Sequence, residues 1–101
     1  MIQTQKTIKA NQQYLHTLTG QIERTCDLCY IGSDTTRLRI LYLLKKHNVL
    51  CVTDISESLQ MGISAVSHQL SILERVGMVK KVRMGKNICY SLDQKGKEFL
   101  R

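Results

Sequence analysis

Met61-Gly62-Ile63-Ser64-Ala65-Val66-Ser67-His68-Gln69-Leu70-Ser71-Ile72-Leu73-Glu74-Arg75-Val76-Gly77 is the stretch whose reading decides the fold. Ile63, Val66, Leu70, Leu73 and Val76 recur at steps of three and four, the period of a helix with one buried stripe. The opposite face carries Ser64, Ser67, His68 and Ser71, short hydrogen-bonding side chains where an ordinary solvated face holds Lys and Glu. A helix that enters a major groove needs such a face. Bulky charged chains block the approach, whereas hydroxyl, imidazole and amide groups read base edges or hold phosphates. The stretch reads as a recognition helix.

The flanking segments give it a context. Val49-Leu50-Cys51-Val52 is short and apolar and leads to Thr53-Asp54, which can cap a helix through about Leu59. Gln60-Met61-Gly62 breaks that helix, and two short helices about a Gly-containing turn are a helix-turn-helix. Downstream, Val79-Lys80-Lys81-Val82-Arg83-Met84 and Ile88-Cys89-Tyr90-Ser91-Leu92 alternate around Gly85-Lys86-Asn87, which predicts a β-hairpin. Beside a helix-turn-helix this is a wing, with Arg83 and Lys86 where its tip would meet a phosphate backbone or a minor groove. Asp93 to Arg101 is at most a short final helix.

Upstream, Ile8, Leu15, Leu18, Ile22, Cys26 and Cys29 trace one stripe along a long first helix, with Gly20 a weak point, while Met1 to about Lys6 is polar and reads as frayed. A helix so sparsely apolar does not bury itself alone, so its stripe is expected to pack on a second copy of the chain as well as on its own core. Gly32-Ser33-Asp34 is a turn with Ser33 or Asp34 placed as a cap. Arg37 to Lys46 forms the most hydrophobic helix, with Leu38, Ile40, Leu41, Leu43 and Leu44.

Composition agrees with this arrangement. The chain of 101 residues is one domain with a single modest core, and the absence of Pro and Trp with one Phe favours short helices over a sandwich. The formal net charge of +7 is concentrated at the end: Arg75 to Arg101 holds eight basic residues (Arg75, Lys80, Lys81, Arg83, Lys86, Lys95, Lys97, Arg101) against Asp93 and Glu98. A basic end beside a polar helix face is the electrostatic footprint of a nucleic-acid binder; a merely solvated basic tail is the alternative. Absence of an apolar run near membrane-spanning length, and of a signal-peptide core in Met1 to Gln13, reads as a cytoplasmic chain with no membrane partner. Its four cysteines are then expected as thiols, ligands or redox centres in preference to structural disulfides.

Ser33-Asp34-Thr35-Thr36-Arg37-Leu38-Arg39-Ile40-Leu41, Leu50-Cys51-Val52-Thr53-Asp54-Ile55, Val66-Ser67-His68-Gln69-Leu70 and Tyr90-Ser91-Leu92, in that order and spacing, resemble the ArsR/SmtB family of dimeric winged-helix repressors from about Ser33 to Leu92. The resemblance implies a homodimer on a pseudo-palindromic double-stranded DNA operator, released when an inducer, often a metal or metalloid, binds. Ser64, Ser67, His68 and Gln69 match the family's DNA-contacting positions. The expected architecture is mostly α with a small β-hairpin, four to five helices plus a two-stranded wing. Residues 1–32 form a dimerisation helix, 33–92 the winged helix-turn-helix and 93–101 a short tail or helix. Three departures stand out: Thr35 where members usually have proline, Ile63 where they usually have a polar residue, and Cys51-Val52-Thr53 where metal sensors have Cys-Val-Cys. Asp93-Gln94-Lys95-Gly96 and the five residues after it also lack the ligands of the family's last-helix zinc site.

Cys26 and Cys29, three apart on a helix, share a face with Cβ atoms roughly 5 to 6 Å apart. With Cys51, which matches the first cysteine of the family motif, they are candidates for a trigonal thiolate site suited to As(III), Sb(III), Cd(II) or Pb(II); no cofactor is expected for DNA binding itself. His47 is a lesser candidate for a fourth ligand, His16 reads as solvated, and Cys89 has no partner and reads as structural. Two alternatives remain open: a thiol redox or persulfide switch, and a regulator whose cysteines are core side chains with no inducer. An enzyme is disfavoured, since Cys26-Asp27-Leu28-Cys29 ends a helical stripe and lacks the βαβ setting of a thioredoxin-like centre.

Overall fold

The computed structural model describes residues 5–101, so that part of the fraying expected over Met1–Lys6 which falls on residues 1–4 lies outside the described residues. The elements in order are α1 (Gln5–Thr17), α2 (Thr19–Gly32), α3 (Thr35–His47), β1 (Val49–Cys51), α4 (Val52–Leu59), α5 (Ile63–Arg75), β2 (Val79–Met84), β3 (Asn87–Leu92) and α6 (Gln94–Phe99). The result is mostly helical with a small antiparallel sheet, as expected.

Capping explains most of the boundaries. Asp34 caps α3, its Oδ1 accepting from the amides of Thr36 at 2.8 Å and Arg37 at 3.2 Å. Asn48 ends the helix at a positive φ of 69°, its amide donating to the Leu44 carbonyl, after a last turn of Lys45, Lys46 and His47 that complements the helix dipole. Cys51, and not Thr53 or Asp54, is the N-cap of α4; Asp54 acts from inside, its Oδ2 accepting from the Cys51 amide at 3.3 Å. Gln60, φ 55°, ends α4, and the Ser56 hydroxyl donates to the Met61 carbonyl, tying down the turn into α5. Gly77 and Gly85, with φ of 81° and 63°, take the two left-handed positions after α5 and at the hairpin tip.

Around α3 a single core collects Ile40, Leu41 and Leu44, Ile55 of α4, Val66, Leu70, Ile72 and Leu73 of α5, Met78 and Val79, and Tyr90 and Leu92 of β3. Each fully buried Leu or Ile here contributes about 1.5–3 kcal/mol of apolar transfer. α6 seats on this body through hydrogen bonds and apolar packing. The Asp93 amide donates to the Met78 carbonyl at 2.9 Å, Lys95 Nζ donates to the Val76 carbonyl at 2.9 Å, and Leu100 enters the core.

The architecture departs from expectation in four ways. The wing is a three-stranded sheet in the order β1-β3-β2, because Val49, Leu50 and Cys51 pair with Ser91, Tyr90 and Cys89. The long first helix is two helices, interrupted at Leu18 and not at Gly20, so with α6 there are six helices among the described residues. Along α1 and α2 the only buried side chain described is Ile31; Leu15, Ile22, Cys26 and Cys29 of the predicted stripe are exposed. Finally, Ile63 is 54% exposed and leaves the α5 stripe to Val66, Leu70 and Leu73, with Ile72 added. The arm of α1 and α2 extends the molecule to 61 × 24 × 23 Å, and its radius of gyration of 18.5 Å exceeds the ~13 Å of a compact chain this long.

Candidate nucleic-acid interface and thiol sites

α5 is held rigidly by its apolar side, and what it leaves outside is uncharged over its first nine residues. Ser64, His68 and Ser71 are exposed with Ile63 and Ala65, and Ser67 is half-buried at the edge. These groups offer donors and acceptors on a smooth surface.

Gln69 differs from its neighbours. It is half-buried, and its Oε1 accepts from Arg37 Nε at 2.9 Å. Sequence reasoning grouped it with the groove-facing residues, but one step along a helix turns a side chain by about 100°, and this step carries Gln69 inward. Arg37 is itself 6% exposed. Its NH1 donates to the Tyr30 carbonyl at 3.2 Å and its NH2 to the Tyr30 hydroxyl at 2.9 Å, while the guanidinium lies 4.2 Å from the Tyr30 ring centroid and 3.9 Å from Asp34 Oδ2. Such planar, fully engaged geometry suits a buried guanidinium and no other cation. One side chain thus connects the end of α2, the start of α3 and α5. The signal was in the sequence, because Arg37 falls in step with the buried Ile40, Leu41 and Leu44.

Beside α5 stands the basic hairpin. Arg83 pairs with Ile88 and Met84 with Asn87 across its last rungs, which puts Arg83 and Lys86 at the exposed tip, as the sequence predicted. Lys80 and Lys81 are exposed on the same strand, and Lys81 Nζ lies 3.9 Å from Glu74. Further down, Tyr90 is buried at 4% exposure; burial pushes its phenol above the usual 10.0, and the Glu74 carboxylate adds to the rise.

The four thiols separate into two pairs. Cys26 and Cys29 are free and exposed on α2. Cys51 and Cys89 sit directly opposite on β1 and β3 and are joined as a disulfide that closes 38 residues. Two expectations are corrected: Cys89 has a partner, and Cys51 is not a reduced thiol. The strand pairing that puts these two residues in register was missed together with β1. Cys26, Cys29 and Cys51 are not assembled into a donor set within one chain, and among the described residues no three His, Cys, Asp or Glu side chains are grouped to hold a metal ion. His47, considered as a further ligand, is exposed at the end of α3, and His16 is exposed as expected. No described helix is long and apolar enough to cross a membrane.

Residues 34–81 match the model described as "Bacterial regulatory protein, arsR family". A cadmium resistance transcriptional regulatory protein CadC homolog of Staphylococcus aureus is 38% identical over 61 residues, 60% of this chain and 50% of that protein. An uncharacterized HTH-type transcriptional regulator of Methanocaldococcus jannaschii is 34% identical over 80 residues, 78% of this chain and 90% of that one. Among solved structures, the AntR antimony-specific transcriptional repressor superposes with a TM-score of 0.69 at 29% identity, over 80% of this chain and 75% of that one. The chain spans about half the length of the first curated relatives it matches, at 50% and 45%.

Proposed function

Since the chain belongs to the arsR family of bacterial regulatory proteins, we propose that it is a transcriptional repressor that binds a double-stranded DNA operator as a homodimer and is released through its thiols. The observation that carries this reading is the uncharged, hydrogen-bonding face of α5 beside an exposed basic wing. Ser64, Ser67 and His68 contact base edges and phosphates, and Arg83 and Lys86 hold the backbone or the adjacent minor groove. Gln69, whose Oε1 is engaged by Arg37, keeps its amide NH2 for DNA. Homodimer formation is supported by the α1–α2 arm, which exposes Tyr14, Leu15, Ile22 and Tyr30.

For the inducer, Cys26 and Cys29 supply two exposed thiols, and sulfur ligands of this kind take As(III), Sb(III), Cd(II) or Pb(II). Relatives named for cadmium and antimony support that choice. Within one chain Cys51 does not complete the set, so no ligand geometry is assigned. A second reading is favoured by the Cys51–Cys89 disulfide, which ties the strand leading into α4 to the wing strand β3. Two-electron reduction by a dithiol, itself oxidised to a disulfide, would return the two thiols and leave β1 and β3 joined by strand pairing alone.

Fluorescence anisotropy on DNA from the chain's own upstream region tests both readings. Under the first, a soft ion releases the DNA and Cys26→Ser or Cys29→Ser abolishes the response. Under the second, the oxidised and reduced proteins differ in affinity and Cys51→Ser removes the difference. Tight binding that ignores every ion and both redox states would return the thiols to a structural role.

A further inference from the structure

Ile63 opens α5, is 54% exposed, and takes no part in the core that draws on Val66, Leu70, Ile72 and Leu73 of the same helix. An isolated exposed apolar residue is ordinary on a protein surface. Its place here is not, because its exposed companions Ser64, Ala65, His68 and Ser71 are all small or hydrogen-bonding. Ile63, Ser67 and Ser71 follow at four-residue steps and so run in one line along the helix. A surface that meets the two serines meets Ile63 as well.

The chemistry of that surface follows from the side chain. Residues in the first turn of a recognition helix reach base edges in the major groove. There the base pairs present acceptors and donors, and one apolar group, the C5-methyl of thymine. Against a cytosine or adenine amino group Ile63 would exclude water and return no hydrogen bond, which is unfavourable. Against a thymine methyl both partners lose apolar exposure. A protein partner would find a single large apolar side chain on this face of α5, whereas the exposed cations Lys80, Lys81, Arg83 and Lys86 of the neighbouring hairpin complement a polyanion.

We propose that Ile63 is a specificity-determining residue that reads the 5-methyl group of a thymine in the operator. The inference rests on the DNA-binding reading of α5 and gives one position of that surface its base preference.

The test is binding of the full chain to a duplex from its own upstream region, with each thymine replaced in turn by 2′-deoxyuridine. This removes the methyl group and leaves base pairing unchanged. At one thymine per half-site the replacement is expected to weaken wild-type binding about four-fold, the worth of one buried methyl group. Ile63→Ser is expected to bind the thymine and uracil duplexes equally at that position, and Ile63→Gln to shift the preference there toward adenine. The residue is on the surface, so both variants should keep the wild-type circular dichroism spectrum. Wild-type protein that tells operator from unrelated DNA but is indifferent to every uracil replacement would overturn the inference alone. Protein that favours no duplex over any other would overturn the operator-binding reading with it.

Discussion

Arg37 Nε donates to Gln69 Oε1 at 2.9 Å, across 32 residues of sequence, and the same guanidinium holds the carbonyl and hydroxyl of Tyr30. The helix that carries Cys26 and Cys29 therefore ends on a cation whose other edge grips α5. Burial makes these bonds consequential, since a desolvated guanidinium that loses a partner has no water to replace it.

Arg37→Lys keeps the charge but cannot make the planar fork, and the expected loss is about 2–4 kcal/mol, read as a lower urea midpoint with unchanged slope. Gln69→Met leaves Nε unpaired at nearly constant volume and should cost about 1–3 kcal/mol. A double variant that loses much less than the sum would establish that the two side chains act on one another. Full additivity would mean that the bond contributes nothing.

Opening the Cys51–Cys89 disulfide should also cost stability. Closing 38 residues restricts the unfolded chain by about 4 kcal/mol on a chain-entropy basis. Thermal unfolding of oxidised protein against the dithiothreitol-treated form should therefore differ by many degrees, and Cys51→Ser/Cys89→Ser should behave like the reduced form in either condition. Maleimide labelling of the native oxidised protein should modify Cys26 and Cys29 and spare the other pair. Labelling of Cys51 without reductant would contradict the pairing.

What could be read from the sequence was whatever repeated locally. The α5 stripe Val66, Leu70 and Leu73, the Asp34 cap and the hairpin about Gly85 were legible because each is set by residues a few positions apart. β1 was not, since Val49–Cys51 is too short to show an alternation and becomes a strand only when β3 lies beside it. The Cys51–Cys89 link and the third strand were therefore missed for one reason. Ile63 was misassigned because its spacing fits the stripe, yet it is 54% exposed while Val66, three residues on, is fully buried. In the candidate site, His68 and Ser64 face outward as read, but the partner that turns Gln69 inward is 32 residues away.

On the operator-binding reading, His68→Ala should weaken specific binding while leaving the fold and non-specific binding unchanged, because His68 is exposed and makes no packing contribution to the core. Arg83→Ala and Lys86→Ala should weaken binding to all duplexes alike and each reduce the slope of log affinity against log salt by about 2, one phosphate contact for each protomer of the homodimer. Anisotropy titrations from low to moderate salt separate the two behaviours. Equal loss of specific and non-specific binding in His68→Ala would remove it from base reading.

Tyr90 provides a pH prediction. Burial holds its phenol above 10.0, so the folded state keeps the proton more tightly than the unfolded one. The stabilisation is fully present below the unfolded value and is lost as pH rises through the folded one, which confines the effect to strongly alkaline solution, above about pH 10. Tyr90→Phe should flatten the fall in stability over that window and leave the neutral range parallel to wild type. Identical alkaline unfolding in both proteins would point to lysine titration as the cause.

Gly96 is the tightest point in the seating of α6. It is buried, and a Cβ placed there would stand 2.2 Å from the Met78 carbonyl oxygen and 3.2 Å from Leu92 Cδ2. Met78 cannot retreat, because its amide donates to Leu73 at 2.9 Å and its carbonyl already accepts from Asp93 at 2.9 Å. Helix propensity favours alanine over glycine by about 1 kcal/mol, so a surface glycine in α6 would gain from the exchange. Gly96→Ala is instead expected to destabilise by about 1–3 kcal/mol and to loosen α6, because the backbone it strikes is part of the core. Hydrogen exchange of the Leu100 amide, which donates to Gly96 at 3.2 Å, should accelerate more than that of α3. A stabilised Gly96→Ala variant would mean that α6 can slide off Met78 without loss, and that its seat on the body contributes little.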